Sequence, residues 1–374
     1  MAGENIWRRI IRFSNVMRII SIGIIVALLI SYFTPLVHPK NLWILPFFGL
    51  AYPITIVVAI LTIFYWVILK SIRWSVVLTI LLLFGIPYMN RLIGWNDTEK
   101  KIEHVQTSIK VLSNNVQIFD LYDENREKKY ETRDSIFNYA ITENPDIVCF
   151  QEFYSKDNPT DFSTYALFRK QFGAVDSHHR FIYKKVGRQH FGVALFSKLP
   201  IIAKGEVIFE MEDDKNYNFC IYVDVVKNTD TFRIYNVHLQ SFRISRIDYE
   251  REEKSSVVKQ LVERLRNAYP RRADQALRVT EHIATSPYPV VICGDFNDTP
   301  VSFVYSRFAN QLKDAFLESS SGIGSTYVGK LPAGRIDYIF HSPSLIASDF
   351  KIQEHAISDH RAISCVINKI SENE

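Results

Sequence analysis

Charged residues vanish from three long stretches near the start of the chain and then return. None lies between Arg18 and His38, between Lys40 and Lys70, or between Arg73 and Arg91. About 20 apolar residues are needed to cross a ~30 Å hydrocarbon core, so the pattern predicts three transmembrane helices near 17–37, 44–69 and 74–92. Pro35, Pro46, Pro53 and Pro87 fall at or within these stretches, where membrane helices tolerate kinks better than soluble helices do. Trp43, Trp66, Trp74, Tyr88 and Trp95 sit near the predicted boundaries, as an interfacial aromatic belt requires. The first apolar run is too long, and too closely followed by two others, for a cleaved signal peptide.

From residue 108 onward the apolar runs shorten and the period changes. Strands are expected at 110–116, 146–152, 191–197, 219–226, 232–239, 289–294, 336–341 and 361–367. Helical periodicity marks 131–144, 246–268 and 271–285, with Pro287 and Pro289 closing the last. The organisation expected is a membrane domain at 1–93, a polar linker at 94–107, one α/β domain at 108–370 and a tail at 371–374. No internal repeat divides the α/β part, which is long enough for a sizeable core. Loops are expected at 154–190, 210–218, 240–252 and 317–334.

The overall charge of +4 misleads until it is divided. Ten of the 44 Lys and Arg but only four of the 40 Asp and Glu precede Ser108, so the remainder is close to neutral, at net −2. Duplex nucleic-acid binding normally draws on a basic face, which this part lacks globally. Cys149, Cys220, Cys293 and Cys365 all lie within apolar runs and read as core thiols, since their spacing fits neither a disulfide framework nor a zinc site.

Chemistry concentrates where the runs stop. Pro289-Val-Val-Ile-Cys-Gly-Asp-Phe-Asn-Asp298 is an apolar strand ending in Gly294, with Asp295 and Asn297 two residues apart and therefore on one face. By itself this is ordinary turn composition. Companions change its meaning: Asn115 closes 110–116, Glu152 closes Cys-Phe-Gln-Glu, and His238 closes Asn-Val-His. Asp337 sits in Arg-Ile-Asp-Tyr, while Asp359 and His360 end Ile-Ser-Asp-His.

In that ordered set, from about Ser108 to Asn368, the chain resembles the endonuclease/exonuclease/phosphatase superfamily. The resemblance implies a four-layer α/β/β/α sandwich of the DNase I type and hydrolysis of a phosphoester with Mg²⁺ or Mn²⁺. Mg²⁺ takes hard oxygen donors and only one or two carboxylates, so Glu152 is the first candidate ligand, with Asn115 and Asp359 beside it. Asp295 is expected to orient and deprotonate the attacking water, and Asn297 to hold a phosphoryl oxygen. His238 and His360 would contact phosphate and stabilise the transition state, with Asp337 orienting His360. Abasic-site endonucleases of this superfamily carry an acid two residues after the metal-site Asn. Here that residue is Gln117, which favours one-metal chemistry and shifts weight from repair nuclease toward phosphatase or lipid phosphodiesterase.

Arg8, Arg9, Arg12 and Arg18 precede the first span, and Lys70 and Arg73 separate the second and third. The positive-inside rule then places the N-terminus in the cytoplasm and, after three crossings, the catalytic domain outside it. The expected partners are the bilayer and a phosphorylated substrate, free or lipid-linked, with Arg243 and Gln275 as candidate substrate contacts and no obligate protein partner. Membrane phosphatases acting on polyprenyl diphosphates, and tethered sphingomyelinases, have a similar architecture. The alternatives are an extracytoplasmic DNase I-like endonuclease and a catalytically dead phospho-ligand receptor. The second is disfavoured because Glu152, the Asp295/Asn297 pair and Asp359-His360 are all retained.

Overall fold

Which side of each element carries the apolar residues divides the molecule in two. The computed structural model describes residues 2–96, 102–125, 127–209, 218–241, 254–329 and 334–371. One unit comprises Met1–Leu92 with Pro300–Ser306, and the other Ile93–Thr299 with Arg307–Glu374.

In the first unit, α1 (Ala2–Phe33), α2 (Leu45–Ile68) and α3 (Ile72–Phe84) pack side by side. Stretches Ser14–Phe33 and Leu45–Ile68 are long and apolar enough to cross a membrane. The third helix is shorter than the sequence led one to expect. It runs for 13 residues, about 20 Å, before Gly85 interrupts it, and a separate turn, Ile86–Met89, follows with Pro87 inside it. A charge-free gap therefore measures apolar length, not helix length.

Apolar side chains line the outside of this unit as well as its interior. Ile19, Ile54, Leu61 and Ile68 are more than half exposed, whereas Ser21, Ser31, Thr34, Thr62 and Ser75 are buried. The buried hydroxyls are occupied: Ser31 Oγ donates to Phe48 O at 3.0 Å, Thr34 Oγ1 to Leu45 O at 3.0 Å, and Trp66 Nε1 donates to Ser21 Oγ at 2.8 Å. Tyr32, Tyr52, Trp66 and Leu78 form the interior with Val301. Gly49 is required there, since a Cβ would lie 2.1 Å from Val301 O.

The second unit is two facing six-stranded sheets. The first contains β1 (Val105–Asn115), β2 (Ile147–Lys156), β3 (Asp176–Lys184) and β4 (Gln189–Ser197). The second contains β5 (Ile201–Val207), β6 (Phe219–Lys227), β7 (Asp230–His238), β8 (Val290–Asp295) and β9 (Asp337–His341), and the first regains the chain as β10 (Leu345–Ile352) and β11 (Ile363–Ile370). Strand order is β10-β11-β1-β2-β4-β3 in one and Lys313–Asp314-β9-β8-β7-β6-β5 in the other.

Each sheet holds one parallel pair, β1/β2 and β7/β8, among antiparallel neighbours. Each pair is joined through a helix, α4 (Lys128–Thr142) in the first and α6 (Lys254–Ala284) in the second; α5 (Thr164–Phe172) lies between β2 and β3. Parallel pairing requires such crossovers, and they cover the outer faces of the sheets. Alternation along the strands then explains the layers. Val111, Ile147, Cys149 and Leu195 face Ile221, Val223, Ile234, Val291 and Cys293 between the sheets. Leu112, Val148, Phe150 and Phe196 face outward, against Ile136, Phe137, Phe168 and Phe172 of α4 and α5. The α/β sandwich of two sheets is thus the observed fold. All four cysteines are free and buried in it.

Apart from the two-residue strands, β3, β5 and β10 escaped the sequence pattern, and all three are edge strands. An edge strand is solvated along one side, so its apolar run is broken by polar residues. The supposed loop 154–190 accordingly contains α5 and β3. The two helices expected at 246–268 and 271–285 are one helix from Lys254 onward, continuing through Pro270, with 246–253 outside the described residues. Leu265, Ala268, Tyr269, Ala273, Ala276, Val279 and Ile283 are buried along one side of it. That continuous burial outweighs the hydrogen bond proline removes. Within the expected linker, Gly94–Trp95 pairs with Ser321–Gly322, and β1 begins at Val105.

Candidate active site

The parallel pairs place functional side chains at their carboxyl ends, where open α/β sheets generally bind ligands. In the first sheet Asn115 stands opposite Gln151, next to Glu152. In the second, His238 stands opposite Asp295, and Asp295 opposite Asp337, so three site residues lie abreast on neighbouring strands.

Local backbone geometry aims them. Pairing of β2 with β4 slips between Phe150 and Phe153, and Glu152 in that bulge has φ 50°. A bulge re-aims the side chain it carries, and Glu152 keeps its carboxylate 33% exposed while Asp295 is 1% exposed. Gly294 has φ 148°, and a Cβ there would lie 1.9 Å from Val237 O. Only glycine lets β8 run that close to β7 just before Asp295. Asn297 adopts φ 55°, and Gln117 φ 45°, so the site collects left-handed residues that cost energy elsewhere.

Asp295 is held from several directions. Asn115 Nδ2 donates to its Oδ2 at 3.0 Å, Asn297 Nδ2 to the same oxygen at 3.1 Å, and the Asn297 backbone N–H to Oδ1 at 2.8 Å. Asn297 Nδ2 also donates to Leu239 O at 2.9 Å, so in this geometry Asn297 orients Asp295. His360 Nδ1 lies 2.9 Å from Asp337 Oδ2, and its Nε2 is 3.8 Å from Asp295 Oδ2. His238 Nε2 is 3.7 Å from both Glu152 Oε1 and Asp295 Oδ2. Gln117 Oε1 accepts the Asp359 N–H at 3.3 Å, and Ser358 Oγ donates to Asn115 O at 2.8 Å, which fastens the Ser-Asp-His turn to the end of β1. The residue that replaces an acid at position 117 thus serves as a tether.

The electrostatics follow from crowding. Burial pushes the Asp295 carboxyl above its usual value, against the pull of His360 and His238. Burial would lower His360, but the Asp337 and Asp295 carboxylates reverse this and hold the imidazole well above its usual value. Asp359 is pushed up to about 6, by burial first and then by Glu152, Asp295 and Asp337, with His360 opposing. Carboxylates that raise one another in this way are a donor set a divalent cation would relieve, and their hard oxygens suit Mg²⁺ or Mn²⁺. Among the described residues, ligand atoms of Asp295, Asp337 and His360 also lie within 4.8 Å of one another.

Of the two residues expected to touch substrate, Arg243 lies outside the described residues. Gln275 is buried, and its Oε1 accepts the Gln240 N–H at 2.8 Å. Several supporting residues had no signal beyond a polar letter in an apolar run. Gln151 Nε2 donates to Asn236 Oδ1 at 2.7 Å, and Asn236 Nδ2 donates to Ala194 O at 2.9 Å, bridging the two sheets beneath the site. Thr326 Oγ1 accepts the N–H groups of Ile336 and Asp337, both at 3.1 Å, and the Tyr327 ring meets His360 edge-on at 5.2 Å.

Comparison with known proteins agrees with this geometry. Residues 115–360 match the model of the Endonuclease/Exonuclease/phosphatase family, and residues 14–92 match that of a domain of unknown function, DUF8431. The fold is similar to an endonuclease/exonuclease/phosphatase from Beutenbergia cavernae DSM 12333, with TM-score 0.52 and 16% identity over 71% of this chain and 72% of that one. It is also similar to the endonuclease/exonuclease/phosphatase from Bacteroides vulgatus, with TM-score 0.51 and 15% identity over 71% and 100%. Truncated Caenorhabditis elegans TDP2 aligns with TM-score 0.50 and 18% identity over 71% and 100%. No curated protein matches the sequence.

Proposed function

The chain belongs to the endonuclease/exonuclease/phosphatase family of metal-dependent phosphoester hydrolases and nucleases, and from that premise we propose that it is membrane-anchored and cleaves a phosphorylated lipid or other envelope phosphoester outside the cytoplasm. The observation that carries this reading is the apolar outer surface of the helical unit. Apolar side chains turned outward along Ser14–Phe33 and Leu45–Ile68, over an interior whose buried hydroxyls are hydrogen-bonded, suit a lipid solvent. The near-neutral charge of the remainder points the same way, since it offers no general basic field for nucleic acid.

An outside location requires an odd number of crossings. Residues 72–89, α3 together with the Ile86–Met89 turn, span about 27 Å at helical rise, close to the hydrocarbon thickness. With the N-terminal arginines retained in the cytoplasm, three crossings deliver Ile93 and all that follows to the far side. Reporter fusions at residues 40, 71 and 96 test this. Residues 40 and 96 reporting outside, and 71 inside, support the reading; residue 96 inside would overturn the location.

In this reading Asp295 accepts a proton from the attacking water, supported by the orientation that Asn115 and Asn297 give its carboxylate. His360, oriented through Nδ1 by Asp337, directs a cationic Nε2 toward the phosphoryl oxygens, and His238 flanks them from between Glu152 and Asp295. A divalent cation held by Glu152 and Asp359 beside Asn115 would supply charge neutralisation. The deciding experiment incubates the detergent-solubilised protein with Mg²⁺ against polyprenyl diphosphate, phospholipid and plasmid DNA, with Asp295→Asn as control. Loss of lipid phosphate or head group with intact plasmid is the expected result. Nicked plasmid with untouched lipid would make the protein a tethered nuclease instead.

A further inference from the structure

We propose that Arg272 and Gln275 of α6 are positioning residues that hold the loops carrying His238 and Asp295 in mutual register, so that the crossover helix sets the geometry of catalysis. The inference rests on the site described above and adds residues outside it. Three positions apart, Arg272 and Gln275 are neighbours on one helix face. Both close on the same residue: Arg272 Nε donates to Gln240 O at 2.7 Å, and Gln275 Oε1 accepts the Gln240 N–H at 2.8 Å. Gln240 is two residues beyond His238. The opposite side of the guanidinium reaches the other loop, with Nη1 3.4 Å from Asp298 Oδ2, one residue beyond Asn297.

The two loops are also joined directly. Leu239 N donates to Asp295 O at 3.0 Å, and Leu239 O accepts from Asn297 Nδ2 and from Asn218 Nδ2, both at 2.9 Å. A single buried guanidinium thus spans two strand-end loops that already share a backbone bond. The Arg272 side chain is 0% exposed and lies 5.1 Å from the Tyr269 ring centroid, which fixes its plane. A planar fork with donors on several edges can bridge a carbonyl and a carboxylate lying in different directions; a lysine ammonium on a flexible stem fixes neither direction as well.

The test uses the full-length protein in detergent, with Mn²⁺ and the synthetic phosphoesters p-nitrophenyl phosphate and bis(p-nitrophenyl) phosphate. Misplacing a reacting group by about 1 Å costs on the order of 10²-fold in rate. Arg272→Met and Gln275→Leu are expected to lower kcat toward that extent with KM little changed. Gln275→Glu, which keeps an acceptor for the Gln240 N–H, restores most of kcat, whereas a merely space-filling role would not distinguish Glu from Leu. Hydrogen exchange supplies a readout free of turnover: the amides of Leu239 and Gln240 should exchange faster in Gln275→Leu and regain protection in Gln275→Glu. Should Arg272→Met fail to fold, the Gln275 pair decides the matter. Folded Gln275→Leu with wild-type kcat, or with unchanged exchange at Leu239 and Gln240, overturns the proposal. A wild-type protein inert toward every phosphoester would instead sink the hydrolytic reading, with exchange still deciding whether α6 positions the loops.

Discussion

The helical unit and the sandwich both bury apolar residues, but the helical unit exposes them as well. In the sandwich, Val111, Cys149, Ile234 and Val291 are fully buried. In the helical unit, Leu61 and Ile68 face outward while Ser21, Ser31 and Thr34 are buried with hydrogen-bonding partners. Water drives apolar area inward in the sandwich; in the lipid setting proposed for the helical unit, apolar area would gain nothing by hiding, and packing with satisfied hydroxyls would take over. Buried polar groups therefore mean different things in the two units. In the sandwich one buried set, Asn115, Asp295, Asp337 and His360, collects at strand ends where chemistry can use it. In the bundle such groups join helices.

The sharpest test of that difference is Asp295→Asn. If the polar cluster exists for chemistry, kcat falls about 10³-fold while the fold is retained. Burial raises the Asp295 pKa, so ionising its carboxyl costs more in the folded than in the unfolded state. A neutral amide removes that cost, so the variant should unfold at the same or a higher temperature than wild type. A large fall in Tm would make Asp295 a structural residue and erase the distinction.

Val57→Arg probes the other unit. Val57 is 57% exposed near the middle of α2. Facing lipid, an arginine there costs about 2.5–3.5 kcal/mol of insertion. The same change at Ile202, equally exposed on edge strand β5, should stay within about 0.5 kcal/mol. Membrane-inserted fraction for the first and chemical unfolding for the second are the measurements. Tolerance of Val57→Arg would mean that α2 faces water.

Legibility in the sequence tracked the same physics. The central strands of both sheets are buried on two faces and read as apolar-rich stretches, unbroken in Ile147–Phe150 and Val290–Cys293; β3, β5 and β10 are solvated edges and do not. The strand-end residues Asn115, Glu152, His238, Asp295 and His360 stood out because each interrupts such a run. The bulge that turns Glu152 outward left no mark, since it depends on the register of β2 against β4. Gln151, Asn236, Arg272 and Thr326 were equally silent, because their partners come from distant segments. Gln275 drew attention as a polar residue near the site, yet its partner is the backbone of Gln240. Gly85 and Pro87 were visible, but a charge-free gap says nothing about where a helix breaks.

Metal binding gives a smaller, pH-dependent contrast. Asp359, pushed up to about 6, holds its proton below that pH, so Mn²⁺ affinity should fall by about tenfold per pH unit there, the slope for one displaced proton. The sign for stability is opposite to that of an ordinary ion-paired acid. With a folded pKa above the usual 3.8, the metal-free protein loses stability as pH rises from about 4 through 6. Titration calorimetry of wild type and Asp359→Asn checks both, since the variant should lose the pH slope.

The smallest effect is expected inside the bundle, where Ser21 Oγ donates to Met17 O at 2.7 Å and accepts from Trp66 Nε1 at 2.8 Å. In water, stranding a buried indole N–H costs about 1–3 kcal/mol. In a bilayer the separated helices also find partners for their polar groups, and such bonds average about 0.6 kcal/mol. Ser21→Ala should therefore destabilise the detergent- or bilayer-embedded protein by only about that amount. Asn236→Ala, which removes the bridge to Gln151 and Ala194 in the sandwich, should cost about 1–3 kcal/mol. If Ser21→Ala costs as much as Asn236→Ala, the helical unit is solvated like the sandwich, and its outward-facing Leu61 and Ile68 require a protein partner in place of lipid.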